Sequence, residues 1–375
     1  MVAVRLLALA AVLLAAAVVA TSSAAAPGMQ LAIFDDAQTL GRPATTFPLL
    51  KKLHVQVVRM TLNWRMVATG KPASPGDPLD PAYNWAQYDT AVQDAARYGI
   101  KPLFTIWGTP AWANAGRPAN YAPTNMHALY SFAFAAASRY SGNFVRTDGT
   151  QLPAVQLWLA WNEPNNPIEL SPQFTRTKGK WTMASPAIYA QICTAVYAAV
   201  HAAEDGAKVG CGATAPRGDN APESTRPSIS PIAFLKAVKA AGLRTFDAWA
   251  HHPYYGRPDE TPATKPPSWE GAVELGNIGA LITELTKLYG PRRVWITEYG
   301  FQTNPPDRLF GVSWAKQAAY LRQAYALARA NTRIDLFTWF PLRDEVNVAA
   351  GWQSGLLTAS GVAKPAFAAF EHLRG

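Results

Sequence analysis

The chain has 375 residues, 49% apolar and only 16% charged, so it can bury one large core without dividing into several domains. Its formal charge of +9 is scattered, with no basic run longer than two residues, which excludes a nucleic-acid-binding arm. No stretch beyond residue 26 approaches 18 uninterrupted apolar residues, which excludes a later membrane span.

Residues 1–26 read as a secretory signal. MVAVR gives a short basic start, LLALAAVLLAAAVVA an apolar run and TSSAAA small residues for cleavage, before Pro27-Gly28 breaks the helix. The apolar run is short for a span, and a single cation flanks it. The mature chain, 27–375, is therefore expected outside the cell as a soluble monomer, at +8 once Arg5 has left. Eight β-branched, apolar runs follow: 31–36, 55–64, 101–108, 154–165, 208–215, 246–255, 293–302 and 333–344. Helical patterns separate them, from WAQYDTAVQDAARYG to WAKQAAYLRQAYALARAN, with shorter helices near FPLLKKLH and KPAFAAFEHLRG at the two ends. Several end in glycine just before the next strand, as helix C-termini do. Eight strand–helix units predict a single-domain (β/α)8 TIM barrel; an open doubly wound sheet would want a glycine-rich phosphate loop after its first strand, and none is present. Cys193 falls in a helix and Cys211 in the strand after it. Export permits a disulfide between them, and two buried free thiols remain the alternative; neither reading supports a metal site.

Strand-to-helix connections are long, aromatic and proline-rich, whereas helix-to-strand connections are mostly short, SGNFVRTDGTQLP (141–153) excepted. In a barrel the long set gathers at the C-terminal face, where active sites lie. Two glutamates end apolar runs at that face: Glu163 in LWLAWNEPN and Glu298 in VWITEYG. Period-two alternation predicts that Glu163 continues the column of Trp161 and Leu159, and Glu298 that of Ile296 and Val294, both columns pointing inward. Two carboxylates facing each other across a barrel mouth are the minimal equipment for breaking a glycosidic bond.

With these positions in view, the chain resembles clan A of the glycoside hydrolases, which includes family 5 cellulases and family 39 xylosidases and iduronidases. Asn162-Glu163-Pro164 is similar to the asparagine–glutamate pair at the end of the fourth strand. Thr297-Glu298-Tyr299-Gly300 is similar to the nucleophile segment at the end of the seventh. Arg59 in VVRMTLNW looks like the second-strand arginine beside the nucleophile, His252-Pro253-Tyr254 like the sixth-strand His-x-Tyr, and Trp339 like the eighth-strand tryptophan under the sugar. GTPAWA (108–113) and GLLTASGVAKPAF (355–367) add to the likeness, which spans 31–375. It implies a retaining glycosidase with Glu163 as acid/base and Glu298 as nucleophile. Arg59, Asn162, His252, Tyr254 and Trp339 would bind substrate, and no cofactor would be needed. The implied partner is an oligo- or polysaccharide with an equatorial linkage, such as a β-glucoside or β-xyloside.

The roles have physical reasons. Glu163 must start protonated, which burial and a neighbouring carboxylate favour; Glu298 must stay ionised, which Arg59 and Tyr254 favour. Asn162 would donate to the sugar 2-hydroxyl. Adjacent His251 and His252 should point to opposite faces of a strand and cannot chelate one metal ion. Asp35, Asp36, Asp344 and Glu345 end strands and are open to sugar contact or to bonding loop amides. Glu169, Glu223 and Glu270 fall in polar loops and are expected to be solvated. Of thirteen tryptophans, Trp64, Trp107, Trp112, Trp161, Trp339 and Trp352 fall at or beyond strand ends, where aromatic faces can stack on sugars. Two other readings share the sequence pattern: a non-catalytic sugar-binding barrel, and a transglycosylase using the same residues.

Overall fold

A computed structural model describes residues 28–349 and 351–373; the expected signal segment lies outside them. In chain order come β1 (Gln30–Phe34), α1 (Asp36–Thr39), α2 (Pro43–Lys52), β2 (Val57–Asn63), α3 (Trp64–Val67), α4 (Ala86–Arg97), β3 (Lys101–Trp107), α5 (Met126–Arg139) and β4 (Leu157–Ala160). A hairpin, β5 (Phe174–Thr177) and β6 (Lys180–Met183), precedes α6 (Ser185–Ala203), β7 (Lys208–Thr214), α7 (Pro231–Ala240) and β8 (Ala248–His251). The remainder is α8 (Ile278–Tyr289), β9 (Arg293–Ile296), α9 (Trp314–Arg329), β10 (Ile334–Trp339) and α10 (Pro365–Glu371). Strands β1, β2, β3, β4, β7, β8, β9 and β10 close into a parallel barrel, with β10 pairing back onto β1. The β5–β6 hairpin is antiparallel and stands outside it, in the loop after β4.

The strands are apolar on both faces, as a covered parallel barrel demands. Their lumen side carries small and medium residues (Ala32, Val57, Leu103, Leu159, Ala213, Ala248) packed around one large one, Trp295. That indole explains Gly210: a Cβ there would lie 2.7 Å from the Trp295 ring. Leu31, Ile33, Val58, Met60, Phe104, Trp158 and Trp249 point the other way, into the layer shared with the helices. Each helix brings a buried face to that layer, such as Leu281, Ile282 and Leu285 of α8, and each such side chain contributes about 2 kcal/mol. Gly99, Gly242 and Gly290 end helices at φ of +68°, +97° and +76°, the left-handed conformation expected of them.

On β9, alternation runs opposite to the sequence reading. Val294 and Ile296 face the helices, and Trp295 between them faces the lumen. Leu159 faces the lumen but Trp161 belongs to the outer layer. Neither glutamate continues an inward column, because β9 turns Val294 and Ile296 outward and β4 stops at Ala160, before Trp161. Each glutamate lies beyond the strand, where period two no longer applies.

Cys193 and Cys211 form a disulfide, with Cα atoms 6.0 Å apart, tying α6 to β7. Closing a loop with a sequence separation of 18 stabilises the fold by about 3 kcal/mol in the chain-entropy model. A second clamp fixes the chain after β10: Lys364 Nζ lies 2.7 Å from Asp344 and 2.8 Å from Thr303, all three buried. Asp344 is thereby committed to structure rather than to a ligand.

Candidate active site

Arg59, on β2, is completely buried. A guanidinium in that position is tolerated only if its donors are matched, and Arg59 meets this by joining four strand ends. Nε donates to Thr105 Oγ1 at 2.9 Å, Nη1 to Thr297 O at 3.0 Å and to Glu298 Oε1 at 2.6 Å, and Nη2 to Asn162 Oδ1 at 2.8 Å. The Phe34 ring lies 4.3 Å from its carbon. Glu298 receives a second donor from Tyr254, whose hydroxyl lies 3.1 Å from Oε2. Burial and the charge of Glu298 push the Tyr254 phenol far up, so it remains a donor. Both oxygens of Glu298 are thus held by hydrogen-bond donors.

Glu163 is placed by backbone rather than by a strand. Beyond Ala160 the chain turns through Trp161 at φ +69° and Glu163 at φ +33°, conformations that cost about 1–3 kcal/mol each. Hydrogen bonds hold the turn. Trp161 N donates to Ile106 O at 2.9 Å, its indole to Glu169 O at 2.7 Å, and Glu163 N to Ala213 O at 3.0 Å. Ala213 can accept that bond because β7 bulges between Cys211 and Thr214. Gly212 makes the bulge possible, since a Cβ there would lie 2.6 Å from the Trp249 ring.

The turned-in Glu163 side chain is 16% exposed. Burial lifts its pKa above the usual carboxylate range, while the Asn166 amide, Arg59 and Arg226 pull it back. Asn166 Nδ2 donates to Oε2 at 2.9 Å, and His252 Nδ1 lies 3.0 Å from Oε1. Burial holds His252 down to about 4, so the ring is neutral at pH 7 and its contact with Glu163 is a hydrogen bond, not an ion pair. Nε2 of the ring faces Arg59 Nη1 at 3.5 Å and Thr297 Oγ1 at 2.9 Å. Arginine can only donate, so Nε2 carries the lone pair and Nδ1 the proton that reaches Glu163.

Glu163, His252 and Glu298 each offer an atom within 4.8 Å of one another. The two carboxyl groups are therefore in near contact across the barrel mouth. The same three groups could touch a cation, but the Arg59 charge already lies 2.6 Å from Glu298 and both His252 nitrogens are engaged. The arrangement suits proton transfer and attack by a carboxylate.

From Glu163 a cleft of about 880 Å³ opens over the loops after β4, β7, β8, β9 and β10. Trp352 lines it, 39% exposed and stacked on Tyr254 at 5.4 Å. Trp339, expected beneath a sugar, is completely buried instead: it lies in the outer layer, edge-on to Tyr299, with its indole donating to Ser354 O at 2.9 Å. The cause is again alternation, since Leu336 of β10 takes the lumen side and Trp339, an odd number of residues on, takes the other. Trp64 and Trp161 are likewise fully buried. Of the residues the sequence singles out, the structure thus brings Arg59, Asn162, Glu163, His252, Tyr254 and Glu298 together and leaves out Trp339.

Trp352 lines the cleft, as its place beyond a strand end suggested; Asn166, which also lines it, was not singled out, and Glu169, beside Glu163, was expected to be solvated. Asn166 carried no signal beyond standing three residues after Glu163. Glu169 looked solvated, yet burial and the nearby Glu163 lift it to about 7, and it accepts from Asn162. Asp35 and Asp36 bond backbone amides of Gln38, Arg343 and Thr61.

No protein-family model matches the sequence, and a search of curated proteins finds no match. Solved structures are similar. A family 39 glycoside hydrolase from Bacteroides cellulosilyticus superposes with TM-score 0.61 at 19% identity, over 92% of this chain and 63% of that one. A glucosidase from Croceicoccus marinus gives TM-score 0.61 at 17% identity, over 87% of this chain and 61% of that one. A GH1 beta-glucosidase from Exiguobacterium antarcticum gives 0.61 at 15%, over 92% and 97%. The chain has the barrel fold of these glycoside hydrolases. It spans about three-fifths of the first two structures.

Proposed function

We propose that the protein is a retaining glycoside hydrolase, with Glu298 the nucleophile and Glu163 the acid/base. The observation that carries the reading is the approach of the two carboxyl groups to within 4.8 Å. Double displacement uses about 5–5.5 Å, whereas inversion needs roughly 6.5–9.5 Å to admit a water between them. In the first step Glu298 attacks the anomeric carbon, the glycosidic bond breaks, and the Glu163 proton passes to the departing oxygen. In the second, Glu163 takes a proton from water, whose oxygen displaces Glu298.

The surroundings divide these roles consistently. Arg59 and Tyr254 match the charge of the attacking carboxylate, and burial raises the pKa of Glu163 in the direction an acid needs. With Asn162 Oδ1 occupied by Arg59 and one amide N–H given to Glu169, its second N–H is the one that would serve a sugar 2-hydroxyl. Trp352 offers an aromatic face for stacking. The substrate on this reading is a carbohydrate with an equatorial linkage. Export, read from residues 1–26, belongs to the same proposal and accords with the Cys193–Cys211 disulfide. Among the described residues no helix is long and apolar enough to cross a membrane.

The test is covalent trapping with a panel of 2-deoxy-2-fluoro glycosides that carry good leaving groups. The expected adduct sits on the tryptic peptide 294–308, which contains Glu298. If no member labels the protein and none is hydrolysed, a sugar-binding barrel is the better reading. Product analysis with an added acceptor sugar separates hydrolysis from transfer.

A further inference from the structure

A chain of contacts leads away from the nucleophile. His252 Nδ1 lies 3.7 Å from Glu298 and 3.0 Å from Glu163 Oε1; Glu163 Oε2 accepts from Asn166, and Asn166 Oδ1 accepts from Arg226 Nη2 at 3.2 Å. A proton donor stands over the oxygen that departs, so groups beyond it on the side away from the nucleophile face the leaving sugar. The cleft follows this direction: Glu163, Asn166, Arg226 and Ser228 line it, and Glu298 does not.

Most charges in that part of the cleft are already matched. Arg217 pairs with buried Glu274 and lies 3.7 Å from Glu260; Glu270 pairs with Arg257. Asp219 accepts from Ala221 N, Ser228 N and Ser228 Oγ. Among the described residues lining the cleft, Arg226 is the cation that has no carboxylate within ion-pair distance. Its one hydrogen bond to protein goes to a neutral amide. The β5–β6 hairpin stands beside the same loop, joined to it by the Trp181 indole, which donates to Glu223 at 3.1 Å. That hairpin adds Arg176, Lys178 and Lys180, all exposed and without ion pairs among the described residues. Glu223 meets the hairpin through that bond.

We propose that the leaving-group side of the cleft recognises an acidic sugar, with Arg226 binding a carboxylate or sulfate on the unit next to the scissile bond. The inference rests on the assignment of Glu163 as proton donor and names the substrate class of that site. A guanidinium presents paired donors that match either oxyanion. The chain's formal charge of +9 favours encounter with an acidic polymer. A bound anion also cancels the Arg226 charge that draws Glu163 down, so the acid holds its proton better when the right substrate is present.

The test is calorimetric binding at low salt to the full chain carrying Glu298→Gln, which removes turnover. The probes are β-1,4-linked tetrasaccharides of three kinds: cellotetraose, tetraglucuronate and 6-O-sulfated cellotetraose. At least one anionic probe should bind about tenfold to a hundredfold tighter than the neutral one. Adding Arg226→Gln should erase that preference, Arg226→Lys should restore part of it, and Lys178→Gln with Lys180→Gln should weaken it less. The two anionic arms tell carboxylate from sulfate. Equal binding of charged and neutral probes, no binding of either anionic probe, or a preference indifferent to Arg226 overturns the inference. A hairpin effect as large as that of Arg226 does so too, because net charge alone would explain it. Labelled Glu298 without anion preference defeats only this inference; anion preference without labelling defeats only the glycosidase reading.

Discussion

Glu298 is held from beneath by the barrel and Glu163 from the side by loops. Around Glu298, Arg59 is fully buried and Tyr254 is 7% exposed, and both are fixed by the strands or strand ends that carry them. Around Glu163, Asn166 and Arg226 belong to long connections, the second one exposed, and the backbone itself is strained. On the proposed mechanism, the group that stays charged is held by buried strand residues, and the group that exchanges a proton is held by loop residues.

The largest expected effect tests the rigid side. Glu298→Ala should lower kcat by about 10⁴-fold or more, with azide restoring turnover and giving a glycosyl azide of inverted configuration. An active variant without azide would remove Glu298 from the mechanism. Glu163→Gln should cost about 10²–10⁴-fold on substrates with poor leaving groups. The loss should be much smaller on aryl glycosides that depart without a proton; an equal loss on both would deny the acid role. Tyr254→Phe removes one donor to a charged group and should lower kcat/KM by about ten- to a hundredfold. The fold should survive, as far-UV circular dichroism will check.

Acidity probes the mobile side. If Glu163 is the acid of the proposed mechanism, with its pKa raised by burial, kcat/KM should fall as pH rises through that raised value. Asn166→Ala removes a donor that favours the carboxylate, so the alkaline limb should move upward; no movement would disconnect Asn166 from the acid. The smallest contrast concerns two tryptophans. Trp352→Ala should raise KM up to about tenfold through lost stacking. Trp339→Phe should leave KM alone and cost about 1 kcal/mol in urea denaturation, from the indole bond to Ser354.

Much of this site was legible in the order of the residues. Arg59 and Tyr254 could be placed because an unusual residue type at a strand end, in the right strand, has few reasons to be there. Asn166 and Glu169 could not, because a polar residue in a loop looks the same whether it faces solvent or a carboxylate. Trp339 was misplaced for a different reason. Its type and position were right, but which face of β10 meets the lumen depends on a register that neighbouring strands set together.

By itself, the sequence determined the alternation of strands and helices, the closure into a parallel barrel, the end of the barrel that carries the long loops, and two glutamates placed at that end. Those follow from local hydrophobic pattern and turn chemistry, which each segment carries without help. The tertiary structure alone decided which way each strand faces, where β4 and β9 stop, and that Glu163 is swung in by a left-handed turn anchored to Ala213. It also decided that the two carboxyl groups come within 4.8 Å. Distances between residues 135 positions apart are set by packing of the whole ring, and no local pattern encodes them.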